Sequence, residues 1–157
     1  MNSKRKIQLA DFNRTVILAT ANTLFLNRGI EGTTMDEIAH EAGFSKTTLY
    51  TYFDRKQDIV DHLILDGMER FHQEVVKIVS RQAPFREFYH ELCQSLVAIH
   101  DSGIVYFPGI TGKIGCSEKE MKNNKVLTNI YMLGEEINHI IAGEISRAAR
   151  SEERRVG

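Results

Sequence analysis

The sequence predicts an all-α protein, in which a helix-turn-helix of two short helices lies between a first helix and a longer helical region. Two observations lead to this prediction. Apolar residues recur at the i, i+3, i+4 and i+7 spacing of an amphipathic helix in most segments of the chain. Between residues 33 and 56, each junction of the short helical segments carries its own capping residues. The length of 157 residues is enough for one or two small domains with a buried core.

The first predicted helix extends from about Asn13 to Arg28. Its apolar face is formed by Ile17, Leu18, Ala21, Leu24 and Phe25. Gly29 follows as a left-handed C-terminal residue, and Ile30 supplies the apolar contact beyond it. Lys4, Arg5 and Lys6 precede the helix as a basic arm. Two roles are open for this arm: contact with DNA phosphates or the minor groove, and a solubilising tail.

Two short helices follow, and a tight turn joins them. Thr34 is expected to cap the second helix, with Glu37 completing a capping box. The apolar face of this helix consists of Met35, Ile38, Ala39 and Ala42. Gly43 is the expected left-handed residue at its end, and Phe44 folds back onto the helix. Ser45 then caps the third helix.

The third helix has the size and polarity to enter a DNA major groove. Leu49 and Phe53 are expected to face inward. The exposed residues are Lys46, Thr47, Thr48, Tyr50 and Thr51. Lysine can contact a phosphate or a guanine edge, and threonine offers a hydroxyl and a methyl that suits the thymine methyl. The hydroxyls of Tyr50 and Tyr52 suit phosphates. An ordinary αα-corner with a solvated charged face is the alternative interpretation.

The next junction predicts the start of a long helix. Asp54 and Gln57 have the spacing of a further capping box, which places Arg55 and Lys56 in the first helical turn. Cations are disfavoured there by the helix dipole. We therefore expect an external anion, such as a DNA phosphate, beside these two side chains.

The segments Thr-Thr-Met-Asp-Glu-Ile-Ala (33–39) and Ala-Gly-Phe-Ser-Lys-Thr-Thr-Leu-Tyr-Thr-Tyr-Phe (42–53), followed by Lys56, resemble the N-terminal domain of tetracycline-repressor-like (TetR) regulators. The resemblance extends from about Asn13 to Val60. It implies a three-helix DNA-binding domain that a long fourth helix joins to a helical ligand-binding and dimerisation domain. The predicted DNA-binding residues are Thr34, Ser45, Lys46, Thr47, Thr48, Tyr50, Tyr52 and Lys56. Members of this family often carry Gly, Ala or Pro where this chain has Thr47, which leaves open the base that it reads.

A helical regulatory and dimerisation domain is predicted for residues 57–149, after a DNA-binding domain of residues 1–56. Its helices are predicted at about Arg55–Arg81, Pro84–His100 and Ser117–Ala149, the last with a break near Asn123-Asn124. Residues 101–116 are apolar and rich in glycine. They form either a broken helix that lines a cavity or a cover for the core.

The last helical region predicts a homodimer. Gly134, Ala142 and Gly143 would let another helix approach closely, and the apolar stripe of this region exceeds what one chain needs. Two copies would place their recognition helices about one helical turn apart, as a palindromic double-stranded DNA operator requires. A small, mostly apolar effector would release the operator by shifting the linker helix. The candidate effector-binding residues are Phe71, Phe88, Tyr89, Leu92, Tyr106, Phe107 and Tyr131.

Residues 150–157, Arg-Ser-Glu-Glu-Arg-Arg-Val-Gly, have no apolar periodicity. They match the in-frame translation of a widely used DNA-sequencing adapter. We therefore expect a non-native tail and a natural protein that continues past Ala149 with different residues, including a further helix of the dimer bundle. A charged, frayed natural C-terminus is the alternative.

The charge distribution suits a DNA-binding head on an acidic body. Residues 1–56 contain eight Lys or Arg and six Asp or Glu, a net charge of +2, whereas the remainder contains twelve and fifteen, a net charge of −3. No run of 18 apolar residues predicts a membrane span, and the N-terminus lacks the apolar core of a signal peptide. Cys93 and Cys116 are expected to be reduced thiols. These features predict a cytoplasmic protein that binds no membrane.

Enzyme-like patterns are weak. Glu69-x-x-His72 and Glu136-x-x-His139 have the spacing found in di-iron bundles, but such sites also need carboxylates from two other helices. Cys93 lies on an apolar stripe and is expected to pack there. We predict no catalytic residue, no metal and no cofactor. A helical di-metal enzyme and a non-specific DNA-coating protein are the alternatives to a regulator.

Overall fold

A computed structural model describes residues 3–101 and 124–156. These residues form six helices: α1 (Ser3–Arg28), α2 (Met35–Glu41), α3 (Lys46–Tyr50), α4 (Lys56–Ser80), α5 (Phe85–Asp101) and α6 (Lys125–Val156). No strand occurs in the two described ranges, and the all-α prediction is confirmed. No helix within them is long and apolar enough to cross a bilayer. Most of the glycine-rich segment predicted at 101–116 lies outside the described residues.

The predicted start of α1 is wrong by ten residues, because the helix begins at Ser3 and not near Asn13. Residues 3–12 contain neither Gly nor Pro and include Lys, Arg, Gln, Leu and Ala, all of which favour helix. The basic segment at Lys4, Arg5 and Lys6 is therefore exposed and part of α1, and does not precede the helix. The predicted end is confirmed, since Gly29 has a φ of 74° and its N–H donates to Phe25 O at 2.8 Å.

The first compact unit comprises Met1–Leu63 and contains α1, α2, α3 and the start of α4. Its core is formed by Ile17, Ala21, Leu24, Phe25, Ile38, Ala39, Leu49, Phe53, Ile59 and Val60, all buried. These are the apolar positions at helical spacing, so burial of one face from each helix holds the unit together. The inward orientation predicted for Leu49 and Phe53 is confirmed, with 0% and 2% of each residue exposed.

The second compact unit comprises Ile64–Gly157. Its core joins three helices through Met68, Phe71, Val75 and Ile78 of α4, Phe88 and Leu92 of α5, and Ile130 and Ile137 of α6. Gly134 of α6 faces Met68 of α4, and a Cβ at this position would lie 3.7 Å from Met68 Cε, an ordinary van der Waals contact, so this packing does not require glycine. The predicted domain boundary between residues 56 and 57 stays a prediction.

The bounds of α6 differ from the predicted ones. It begins at Lys125, where Asn124 Oδ1 accepts a hydrogen bond from Val126 N at 2.9 Å, and the predicted start at Ser117 lies outside the described residues. The predicted end at Ala149 is wrong, because the helix continues to Val156. Residues 144–156 contain no Gly or Pro and are rich in Ala, Arg and Glu, so local propensity extends the helix without an apolar stripe.

Candidate nucleic-acid interface

The predicted capping box at the start of α2 is confirmed. The Thr34 hydroxyl accepts from Glu37 N at 3.2 Å, and Glu37 Oε2 accepts from Thr34 N at 2.8 Å. The hydrogen bond from the Thr34 N–H, with a second from the Thr34 hydroxyl, lowers the pKa of Glu37 below its usual value. Thr34 is exposed, and its position at the edge of α2 is fixed by these bonds.

The turn between α2 and α3 has the geometry that the sequence predicted. Gly43 has a φ of 74°, and its N–H donates to His40 O at 3.1 Å. The N–H of Phe44 donates to Ala39 O at 2.9 Å, which completes a Schellman motif. The turn therefore sets the direction in which α3 leaves α2.

The short helix α3 is held at its start and along its inner face. Ser45 caps it, since the Ser45 hydroxyl accepts from Thr48 N at 3.1 Å and lies 2.8 Å from Thr48 Oγ1. Leu49 is buried beneath the helix. Thr47 and Tyr50 lie on the opposite, exposed face, with 41% of Tyr50 exposed. The exposed face thus offers hydroxyl groups on a fixed backbone.

Lys46 lies at the edge of this face and pairs with a residue that the sequence did not single out. Its Nζ lies 2.8 Å from Asp36 Oδ1 and 2.9 Å from Oδ2, and both side chains are 61% exposed. The hydrogen bond with Asp36 raises the pKa of Lys46 above its usual value. The two residues are ten positions apart on different helices, and only the turn at Gly43 brings them together.

The cations at the start of α4 have internal partners, contrary to the expectation that they need an external anion. The Lys56 ammonium donates to the backbone oxygens of Ile30 and Thr33, the latter at 2.9 Å. Arg55 Nη2 lies 3.0 Å from Asp58 Oδ1. Lys56 therefore uses two of its three donors on backbone oxygens of the protein.

The capping box predicted for Asp54 and Gln57 is wrong. The N–H of Arg55 donates to Asp58 Oδ2 at 2.9 Å, so the reciprocal carboxylate lies one position further along. Gln57 Nε2 instead donates to Asp61 Oδ1 at 2.8 Å. Aspartate and glutamine both suit this role, and the sequence spacing alone does not decide between two overlapping pairs.

Tyr52 is only partly exposed, and its hydroxyl accepts from Asn13 Nδ2 at 3.0 Å. Next to it, the Arg14 guanidinium lies 5.5 Å from the centre of the Phe53 ring. These contacts fasten α1 to the end of the helix-turn-helix. Of the eight predicted DNA-binding residues, the exposed ones are Thr34, Ser45, Lys46, Thr47 and Tyr50, and the partly buried ones are Thr48, Tyr52 and Lys56.

The predicted effector-binding residues do not line one cavity among the described residues. Phe71, Phe88 and Leu92 are buried in the core of the second unit, each with 6% or less exposed. Tyr89 and Tyr131 are 57% and 48% exposed. The remaining two, Tyr106 and Phe107, lie outside the described residues. An effector site on these seven residues stays a prediction.

A groove of about 720 Å³ lies along α4 and α6 in the second unit. Its lining comprises Glu69, Asn129, Met132, Leu133, Glu135, Glu136 and His139. The two Glu-x-x-His segments thus lie side by side, with His72 Nε2 3.1 Å from Glu136 Oε1. Within residues 3–101 and 124–156, no group of three or more His, Cys, Asp or Glu side chains has a metal-binding arrangement.

Comparison with known proteins places the helix-turn-helix in one family. Residues 17–63 match the family model described as bacterial regulatory proteins, tetR family. The chain is 34% identical over 95 residues to the HTH-type transcriptional repressor BepR of Brucella suis, a match that covers 60% of this chain and 44% of that protein. It is 39% identical over 66 residues to the HTH-type transcriptional repressor KstR2 of Rhodococcus jostii, covering 40% and 32% of the two chains. This chain therefore matches less than half the length of these curated relatives.

The fold as a whole is also found among solved structures. The structure of AibR in complex with isovaleryl coenzyme A and operator DNA aligns with a TM-score of 0.67 at 22% identity, over 89% of this chain and 74% of that one. This similarity extends well beyond the helix-turn-helix. It confirms the predicted fold of an N-terminal helix-turn-helix followed by a helical domain.

Proposed function

We propose that this chain is a DNA-binding transcriptional regulator of the tetR family, a proposal that the match of residues 17–63 to the model of that family supports. The single observation that carries the proposal is the exposed face of α3. Thr47 and Tyr50 project from a helix that Ser45 caps and Leu49 anchors. Short hydroxyl-bearing side chains on a rigid helix can enter the major groove, where base edges differ in donors, acceptors and methyl groups.

The proposed DNA contacts fall into two classes. Thr47, Thr48 and Lys46 contact base edges, because they lie in the first turn of α3. The second class comprises Thr34, Ser45, Tyr50, Tyr52 and Lys56. These five residues contact phosphates and set the position of the helix without reading sequence.

We propose that the regulator is a repressor and that it binds its operator as a homodimer. The curated relatives BepR and KstR2 are named as transcriptional repressors, which supports this direction of control. Residues 1–56 carry a net charge of only +2, so a single copy of this domain is weakly attracted to DNA. In a homodimer, two linked DNA-binding domains bind more tightly because the second binds at a high effective concentration. Their two-fold symmetry requires a palindromic site.

The proposed signal is a small, mostly apolar effector that binds the helical second unit. AibR, which shares the fold, has been solved with both isovaleryl coenzyme A and operator DNA, and this supports a ligand-responsive role. An effector releases DNA if it binds more tightly to a dimer whose recognition helices are too far apart for adjacent grooves. The repressor acts in the cytoplasm, where bacterial DNA is.

Unbiased selection from random duplexes, followed by measurement of Kd at physiological salt, tests the proposed function. We expect a palindromic site that binds at least ~10³-fold more tightly than random duplex. A non-specific DNA-coating protein would instead bind both duplexes with similar affinity, which would overturn the proposal. Metal analysis of the purified protein addresses the enzyme alternative, because a di-metal enzyme retains iron or manganese.

A further inference from the structure

Asp36 places a carboxylate on the surface that we propose for DNA binding. It lies two residues after Thr34 in the first turn of α2, and its side chain is 61% exposed. A negative charge facing phosphates opposes binding, because affinity for DNA rests on cations that replace counterions. An acidic residue at this place therefore needs a compensating role.

The contact with Lys46 supplies such a role. Both carboxylate oxygens lie within 2.9 Å of Lys46 Nζ, and this hydrogen bond also raises the pKa of the lysine. The lysine ammonium sits on a flexible four-carbon side chain and, without a partner, behaves as a mobile point charge. Paired with Asp36, the ammonium is held against the first turn of α2, and 61% of the lysine side chain remains exposed.

We propose that Asp36 is a positioning residue for sequence recognition, which holds the Lys46 ammonium at a base edge and keeps it from acting as a mobile phosphate contact. This inference rests on the proposed function. It predicts that Asp36 lowers affinity for DNA in general and raises the preference for the operator over other sequences.

The test compares Asp36→Asn with a charge-matched control. Glu41→Gln removes one negative charge from the far end of the same helix, where Glu41 Oε1 lies 3.8 Å from His40 Nδ1. For each variant, Kd is measured for the selected operator and for a random duplex across a range of salt concentrations. Circular dichroism and thermal unfolding verify that both variants fold.

For Asp36→Asn, we expect a ratio of operator to random affinity that falls about fivefold or more, which corresponds to the lower end of discrimination by one side chain. The salt dependence of random-duplex binding should steepen by about 0.9 per recognition helix, since one more phosphate is neutralised. Glu41→Gln should change neither quantity. In a Lys46→Ala background, Asp36→Asn should have no further effect on the ratio, because Asp36 acts through Lys46.

Several results would overturn the inference. One is an unchanged ratio and salt slope in Asp36→Asn, and another is an equal change in Glu41→Gln. A loss of preference that persists in the Lys46→Ala background would show that Asp36 reads a base itself. If the unmodified chain selects no duplex, the proposed function fails together with the inference. If it selects an operator that Asp36→Asn binds identically, only the inference fails.

Discussion

The Lys56 ammonium donates a hydrogen bond to the backbone oxygen of Thr33, 2.9 Å away, and so joins the start of α4 to the residue before the α2 cap. A second hydrogen bond to Ile30 O extends this link to the end of the preceding turn. Thr33 itself is buried, and its hydroxyl donates to Gly29 O at 2.9 Å. Lys56 therefore holds the loop that leads from α1 to α2.

Replacing Lys56 by Met should lower the free energy of unfolding by about 1.5–3 kcal/mol, because two partly buried carbonyls lose a charged donor. Urea unfolding followed by circular dichroism measures this loss. Arg55→Met is the control, since Arg55 is exposed and its pair with Asp58 should contribute at most about 1 kcal/mol. A Lys56→Met variant that is as stable as the unmodified protein, but has a shallower salt slope for DNA binding, would mean that Lys56 serves as a phosphate contact only.

The two glycines Gly43 and Gly143 should respond to alanine in opposite ways. A Cβ at either position would meet no described atom within 4 Å, so space does not distinguish them. Gly43 has a φ of 74°, and alanine there should cost about 1 kcal/mol. Gly143 lies inside α6, where alanine should stabilise the monomer by about 0.5–1 kcal/mol. Urea midpoints of the two variants test this, and destabilisation of equal size at both sites would contradict the backbone explanation.

The cap of α2 should make a measurable contribution to stability. Thr34→Ala removes the hydroxyl that accepts from Glu37 N and should cost about 1 kcal/mol of unfolding free energy. Thr34→Ser keeps the hydroxyl and should retain most of the stability. Thermal unfolding of the three proteins measures both effects. Equal losses for alanine and serine would show that the Thr34 methyl, and not its hydroxyl, holds the helix start.

Glu37 should make stability depend on pH in the acid range. Its pKa is lowered below 4.5 in the folded protein, mainly by the hydrogen bond from the Thr34 N–H. The stabilisation is therefore present above pH 4.5 and is lost as the pH falls through the lowered value. The unmodified protein should be more stable than Glu37→Gln near neutrality, and the difference should shrink on acidification. Unfolding measured from pH 7 down to pH 3 tests this, with Glu41→Gln as a control for general charge effects; a difference that stays constant would contradict it.

Most features set by neighbouring residues were predicted well, with the capping box at the start of α4 as an exception. The Thr34 cap, the left-handed Gly43 and the Ser45 cap each depend on residues within five positions, and all are present in the structure. The start of α1 and the end of α6 were placed too far inward, because apolar periodicity marks only the packed part of a helix. Polar residues of high helix propensity extended both helices beyond it.

Side-chain pairs formed by the tertiary fold were not predictable in the same way. Lys46 pairs with Asp36 across ten residues, and Lys56 reaches Thr33 across 23. Neither pair has a local sequence signature, because the partners are far apart in the sequence and only the folded unit brings them together. The core residues Phe71 and Phe88 illustrate a related difficulty, because aromatic residues at helical spacing mark a core and a pocket equally well.

Replacement of Thr47 by Ala tests most directly whether the exposed face of α3 recognises base pairs. The site selected by this variant from random duplexes should lose its preference at one or two positions in each half-site and keep the others. Thr23→Ala, which removes an exposed threonine from α1, should select the same site as the unmodified protein. If Thr47→Ala also selects an unchanged site with unchanged preferences at every position, α3 does not read DNA as proposed.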